Sequence, residues 1–245
     1  HLASVSNDPM AEIDKNLSWE TSALGTFHLM NFAKKKKIKR IIYASSGSVY
    51  GIKKEKEVTE DLSLKPISLY NKVKMITERL ILSYKNDLDI FIIRPATVCG
   101  YSRRMRFDVS VNALTFSALR KNKIQVNGGK QIRPNIHIDD MVRLYLFFLK
   151  KNKKYSGIYN AGFENISILN LAKKINKIIP SKINVLKKNY DPRSYRISSK
   201  KLLKIGFKPK YNVENAILDM KKKYENKILR DNPKFHSIKW LKKIY

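Results

Sequence analysis

A serine, a tyrosine and a lysine are spaced in a way that suits proton transfer. Ser46 follows the apolar run at 41–44, and Tyr70 and Lys74 come later, four positions apart. On a helix, side chains at i and i+4 project from the same face, so Tyr70 and Lys74 would be neighbours. An adjacent ammonium stabilises a phenolate and lowers its pKa from about 10. The three residues are therefore equipped for proton transfer at a hydroxyl or carbonyl that is being oxidised or reduced.

The segments around these residues make the pattern more specific. Tyr-x-x-x-Lys alone is weak, because the chain has 13 tyrosines and 51 lysines and arginines. However, Ser46 would leave the carboxyl end of a strand, which is the edge where ligands bind in open α/β sheets. The pair is also followed by a second strand that ends in RPATVCG at 94–100.

The elements that would position these residues alternate between helix and strand. Apolar residues recur at helical spacing over 11–36 and 68–84, whereas 38–46 and 89–100 are short β-branched runs typical of buried strands. This alternation predicts an α/β fold, a parallel sheet covered by helices.

The second half of the chain is more mixed. We expect Asp139 or Asp140 to be the N-cap of one helix and Ser167 the N-cap of another. A short helix over 198–207 should stop at Gly206. The remaining predicted elements are helices at 109–121, 138–151, 167–179 and 213–225, and strands at 123–129 and 157–162.

Composition bounds the class of protein. The hydrophobic fraction of 43% indicates a globular chain, and a single cysteine, Cys99, excludes an internal disulfide and favours a reducing compartment. No apolar run reaches the ~18–20 residues that span a bilayer, so we expect a cytoplasmic protein without a membrane partner. The net charge of +31 is spread along the chain, which makes nucleic acid an unlikely partner. The four histidines lack metal-ligand spacing, and no metal is expected.

Several segments, in collinear order over roughly residues 1–220, resemble the extended short-chain dehydrogenases/reductases that include nucleotide-sugar epimerases and dehydratases. HLAS at 1–4 looks like the end of that family's fourth strand, and SSGSVYG and YNKVK carry the serine and the tyrosine–lysine pair. The other matching segments are ALGTFHLMNFA, RPATVCG, GGKQIRPNIHIDDMV, GIYNAG and SSKKLLKIGFKPKYNVENAI.

The resemblance implies roles for named residues. Tyr70 would be the general base and acid, Lys74 would bind the nicotinamide ribose, and Ser46 would hydrogen-bond the reacting oxygen. The implied cofactor is NAD, with NADP left open. Leu2, Ala3 and Ala96 fall where family backbones touch the dinucleotide. Thr97, Arg133 and Arg193 fall at substrate-binding positions, where a guanidinium suits a diphosphate.

The resemblance also implies a domain organisation. A Rossmann-type parallel sheet without its N-terminal strands would occupy 1–103, with 136–165 contributing to it. A smaller C-terminal substrate-binding lobe would comprise 104–135 and 166–225, followed by a basic tail at 226–245. The family's Gly-x-x-Gly-x-x-Gly turn is absent. We therefore expect either a fragment of a complete enzyme or a truncated product.

The predicted reaction is epimerisation of a nucleotide sugar at C4 through a 4-keto intermediate. Family dehydratases place a carboxylate just after the catalytic serine or threonine, where this chain has Gly47 and Ser48. The alternatives are a reductase or dehydratase of the same family, a non-catalytic remnant, or a basic nucleic-acid-binding protein. A homodimer through 11–36 and 68–84 is a further expectation.

Overall fold

The computed structural model describes residues 1–187 and 194–242. Its α-helices are 5 to 14 residues long. They are α1 (Asp8–Ile13), α2 (Lys15–Trp19), α3 (Gly25–Lys35), α4 (Leu69–Leu82), α5 (Ser110–Lys121), α6 (Ile138–Lys150), α7 (Ile168–Ile178), α8 (Lys200–Lys204), α9 (Val213–Glu225) and α10 (Ser237–Leu241).

The described strands form three small sheets, ordered β1-β2-β6, β3-β5-β7 and β4-β8. All neighbours are parallel except the antiparallel pair β5 and β7. The strands are β1 (Arg40–Ala44), β2 (Asp89–Pro95), β3 (Thr97–Cys99), β4 (Lys123–Asn127), β5 (Ile132–His137), β6 (Gly157–Ala161), β7 (Glu164–Ser167) and β8 (Lys182–Leu186).

The parallel sheet β1-β2-β6 lies between two layers of helices. Its strands are mostly apolar, as expected for a sheet that is covered on both faces. Side chains alternate along a strand, so Ile41 and Tyr43 pack against α3 and α4, whereas Ile42 packs against α6 on the opposite face. The backbone of His1 extends this sheet, since its N–H group donates to Ile42 O at 2.7 Å and its carbonyl accepts from Ala44 N at 3.2 Å. The result is the predicted Rossmann-type α/β arrangement.

A second apolar cluster lies outside this sheet. It is formed by α5, α7 and α9 with the strand pair β4 and β8, and its centre includes Ile124, Val126 and Leu171. The segment after α9 packs onto the chain near Phe107, whose ring meets that of Phe235 edge-on at 5.5 Å. The basic tail, as far as Lys242, thus contacts the body of the protein.

The long helix predicted over 11–36 is interrupted. Asp14 ends α1 in an extended conformation and caps α2 by accepting from Leu17 N at 2.8 Å. A π-helical turn at Glu20–Leu24 then precedes α3. The apolar periodicity was correct, but a local side-chain cap competes with helix continuation at Asp14.

Two further predictions need correction. The run 89–100 is two strands, since Ala96 leaves the first sheet and β3 pairs with β5 instead. Neither Asp139 nor Asp140 caps α6, because His137 is the N-cap and its ring accepts from Asp139 N at 3.1 Å. The predicted Ser167 cap is confirmed. Strands β5, β7 and β8 were not predicted.

Candidate active site

Ser46 lies where β1 ends, at the carboxyl edge of the parallel sheet. It is the N-cap of a short 3-10 turn, Gly47–Tyr50. The helix α4 starts close by with Ser68 as its N-cap, which places Tyr70 and Lys74 in its first turns. Strand end and helix start thus bring the three predicted residues together, as their types and spacing indicated.

Tyr70 is half-buried beside Ser46. Burial raises the pKa of Tyr70 to about 12, opposed by a hydrogen bond with the Ser46 side chain and by the charge of Arg106. Asp8 acts in the same direction as burial, since its carboxylate disfavours a phenolate nearby. At neutral pH the Tyr70 hydroxyl is therefore protonated.

Lys74 reaches back toward the strand end. Its Nζ donates to Ala44 O at 2.7 Å and lies 4.9 Å and 5.9 Å from the ring centroids of Tyr43 and Tyr70. Burial lowers the pKa of Lys74 to about 8, and Glu78 partly opposes this shift. The pKa of Tyr70 lies above its ordinary value, because burial of the phenol outweighs the charges nearby.

A buried ion pair beneath these residues was missed by the sequence analysis. Arg94 and Glu78 are both almost fully buried, with Arg94 Nη2 2.7 Å from Glu78 Oε2. The Ser45 hydroxyl donates to the same carboxylate, and Arg94 Nη1 donates to Tyr50 Oη at 2.8 Å. Glu78 lies one helical turn after Lys74, and Arg94 interrupts an apolar strand. That interruption was the available signal, since a buried charge needs a partner.

The residues expected to touch a dinucleotide lie at the same edge. Leu2 and Ala3 follow His1 directly and are exposed, with 66% of Leu2 accessible. Ala96 is buried, and its N–H group donates to Ala161 O at 2.7 Å, which leaves its carbonyl as the backbone group able to meet a ligand.

Two of the three predicted substrate-binding residues lie in the sheet β3-β5-β7. Thr97 pairs with Asn135 at the start of β3, and Arg133 lies on β5, where its Nη1 donates to Ile132 O at 3.2 Å. Both side chains are half-buried. Arg193 lies outside the described residues.

The described residues, 1–187 and 194–242, contain neither a group of metal ligands nor a membrane-spanning helix. Within that part of the chain, no three histidine, cysteine or carboxylate side chains come close enough to hold a metal ion. The helices there are too short or too polar to cross a bilayer. Cys99 is buried in the second apolar cluster, and burial raises the pKa of its thiol to about 12.

Comparisons with known proteins agree with this arrangement. The chain is 29% identical over 208 residues to an uncharacterised protein of Methanocaldococcus jannaschii, a match that covers 81% of this chain and 63% of that protein. It is 26% identical over 244 residues to the UDP-glucose 4-epimerase of Lactobacillus helveticus, with 89% and 73% covered.

A solved structure is also similar. The UDP-glucuronic acid 4-epimerase from Bacillus cereus in complex with NAD superposes with a TM-score of 0.78 at 26% identity, covering 93% of this chain and 73% of that one. The chain thus spans between about three fifths and three quarters of the length of these proteins. The model of the NAD dependent epimerase/dehydratase family matches residues 1–162. Because that match takes in both the strand-end serine and the tyrosine–lysine helix, the chain belongs to the NAD dependent epimerase/dehydratase family.

Proposed function

We propose that the protein acts in the NAD-dependent epimerisation of a nucleotide sugar at C4, through a transient 4-keto sugar. The observation that carries this proposal is the meeting of Tyr70 with Ser46 and Lys74 at the carboxyl edge of a parallel sheet. A phenol, a hydroxyl and an ammonium at such an edge can hold a carbon-bound oxygen and exchange its proton.

The donor set at this edge fits the nicotinamide ribose of NAD. An ammonium has three N–H donors, and Ala44 O takes one of those on Lys74. The remaining donors can meet ribose hydroxyl groups, while exposed Leu2 and Ala3 leave the adjoining edge open. When bound, NAD would supply a reversible acceptor for the hydride of C4. The sequence has no Gly-x-x-Gly-x-x-Gly turn, and no residue is assigned to the pyrophosphate.

The protein residues then divide the proton chemistry between them. Tyr70 takes the proton of the C4 hydroxyl and returns it to the epimeric oxygen, while Ser46 hydrogen-bonds that oxygen. With a pKa of about 12, Tyr70 needs positive charge close by to act as a base, and Lys74 and Arg106 are the cations beside it. The diphosphate of the sugar nucleotide would bind Arg133, and the cluster formed by α5, α7 and α9 would complete a substrate lobe.

Packing around Gly47 favours epimerisation over dehydration. A Cβ atom on Gly47 would lie 2.4 Å from Ile197 Cδ1 and 3.1 Å from Pro95 O. A carboxylate at this position, which the resemblance associates with dehydratases, would therefore require neighbouring groups to move. Ser48, the following residue, carries a hydroxyl, which is too weak an acid to take the place of a carboxyl group at neutral pH.

The outer faces of α3 and α4 support the proposal of a homodimer. Phe27 and Phe32 on α3, and Ile76 on α4, are large apolar side chains that are exposed. Apolar side chains on adjacent helices are suited to burial against a second copy. A sedimentation measurement should give a dimer that Phe32→Glu converts to a monomer; a monomer in the unsubstituted protein would contradict this.

Activity with UDP-glucose and UDP-galactose tests the proposed function. We expect interconversion of the two, or of a related pair, and a loss of at least about 100-fold in turnover for Tyr70→Phe. Tyr84→Phe is the matched control, since Tyr84 lies just beyond the end of α4 and its Oη donates to Asn31 Oδ1 at 2.7 Å. Equal turnover in the Tyr70→Phe variant would overturn the mechanism. Reduction of a 4-keto sugar without epimerisation would identify a reductase instead.

A further inference from the structure

Two hydrogen bonds connect Ser46 to a buried amide. Ser46 Oγ lies 2.7 Å from Ser48 Oγ, and Ser48 Oγ donates to Asn71 Oδ1 at 2.5 Å. Asn71 is completely buried and directly follows Tyr70 in α4. The chain of bonds thus joins the strand-end serine to the helix that carries the tyrosine.

These contacts hold the Ser46 hydroxyl from one side. The Ser48 hydroxyl donates to Asn71 Oδ1, since an amide oxygen accepts, and Ser48 Oγ is also within hydrogen-bond distance of Ser46 Oγ. The backbone N–H group of Ser48 donates to Ser46 Oγ at 3.2 Å. Tyr70 meets the same hydroxyl from α4.

Burial of the Asn71 side chain leaves one of its polar atoms without a partner. Its Nδ2 atom has no partner among the described residues, although the side chain is buried. An apolar side chain of similar size would avoid an unpaired buried donor. Such a replacement would, however, remove the oxygen that accepts the hydrogen bond from Ser48.

We propose that Ser48 and Asn71 are positioning residues that hold the Ser46 hydroxyl beside Tyr70, where Ser46 Oγ can hydrogen-bond the reacting oxygen of the sugar. This inference rests on the proposed function for its effect on turnover. Ser48 and Asn71 act only through Ser46.

Turnover of four variants of the full chain tests the effect. For Ser48→Ala and for Asn71→Ser we expect kcat to fall about tenfold with KM within about twofold, because orientation is lost and sugar contacts are kept. Ser48→Thr retains the hydroxyl and should keep at least half of the kcat. The double variant Ser48→Ala/Asn71→Ser should have a kcat within twofold of that of the slower single variant, because both substitutions break the same series of hydrogen bonds.

A control and a second readout complete the experiment. Ser83→Ala removes an exposed hydroxyl at the end of the same helix and should leave kcat unchanged. Crystal structures should show one Ser46 rotamer in the unsubstituted protein and at least two in Ser48→Ala. The same single rotamer in both, an unchanged kcat in Ser48→Ala, or fully additive losses would overturn the inference. An unsubstituted protein without activity would contradict the proposed function, while the rotamers would still decide this inference.

Discussion

Arg94 and Glu78 form a buried ion pair that joins β2 to α4, next to Ser45 and one helical turn from Lys74. Three guanidinium-to-carboxylate contacts of 2.7 to 3.3 Å hold the pair, and neither side chain is more than 4% exposed. Because Ser45 and Tyr50 bind the same two side chains, the pair fixes the turn that carries Ser46.

Removing one partner of this pair should destabilise the fold. Glu78→Gln leaves a buried guanidinium without its counter-charge, and we expect a loss of about 3–5 kcal/mol in the free energy of unfolding. Urea denaturation measures it. Asp87→Asn, which breaks the exposed pair between Lys34 and Asp87, is the control and should cost at most about 1 kcal/mol. Equal losses in the two variants would contradict a role for burial.

Two adjacent aspartates should differ sharply in their effect on stability. The Asp140 carboxylate is fully buried and accepts from Lys210 N and Tyr211 N at 2.9 to 3.0 Å, besides pairing with Arg143. Asp140→Ala should lower the free energy of unfolding by about 2–4 kcal/mol, because two backbone donors and a guanidinium lose their acceptor.

Asp139 provides the matched control for this substitution. Its side chain is 60% exposed, so Asp139→Ala should change stability by no more than about 0.5 kcal/mol. Thermal and urea denaturation of both variants would check the difference. Similar losses would show that helix-start charge, common to both residues, is what matters.

Gly47 should tolerate a side chain only if Ile197 is shortened. Gly47→Ala places a methyl group 2.4 Å from Ile197 Cδ1, and overpacking of this kind costs about 1–3 kcal/mol. Ile197→Val removes that atom, so the double variant should be more stable than the sum of the two single losses predicts. A double-mutant cycle measures the coupling. Strict additivity would show that the contact with Pro95 O limits this site instead.

The buried ammonium of Lys74 should make stability depend on pH. Burial lowers its pKa from 10.5 in the unfolded chain to about 8 in the fold. Between these two values the unfolded state binds more protons, so the free energy of unfolding rises with pH over that window. The free energy of unfolding of the unsubstituted protein, measured relative to that of Lys74→Met, should rise by about 1 kcal/mol per pH unit between pH 8.5 and 9.5. Parallel stability curves would contradict the shifted pKa.

The amino-acid sequence determined the elements and the residues of the candidate site. Apolar periodicity located β1 and α4, because the pleat and the helical turn are local repeats that side chains report directly. The spacing of Tyr70 and Lys74 placed them on one helix face, and Ser167 was recognisable as the N-cap of α7. These features depend on residues within a few positions of one another.

Tertiary structure decided what depends on distant segments. The pKa of Tyr70 is raised because its surroundings bury it and because Asp8 and Tyr195 lie beside it, and neither cause follows from the YNKVK segment. Asp140 binds the backbone of residues seventy positions away rather than capping its own helix. Burial and charge are properties of the space around a side chain, and that space is assembled only when separate parts of the chain pack together.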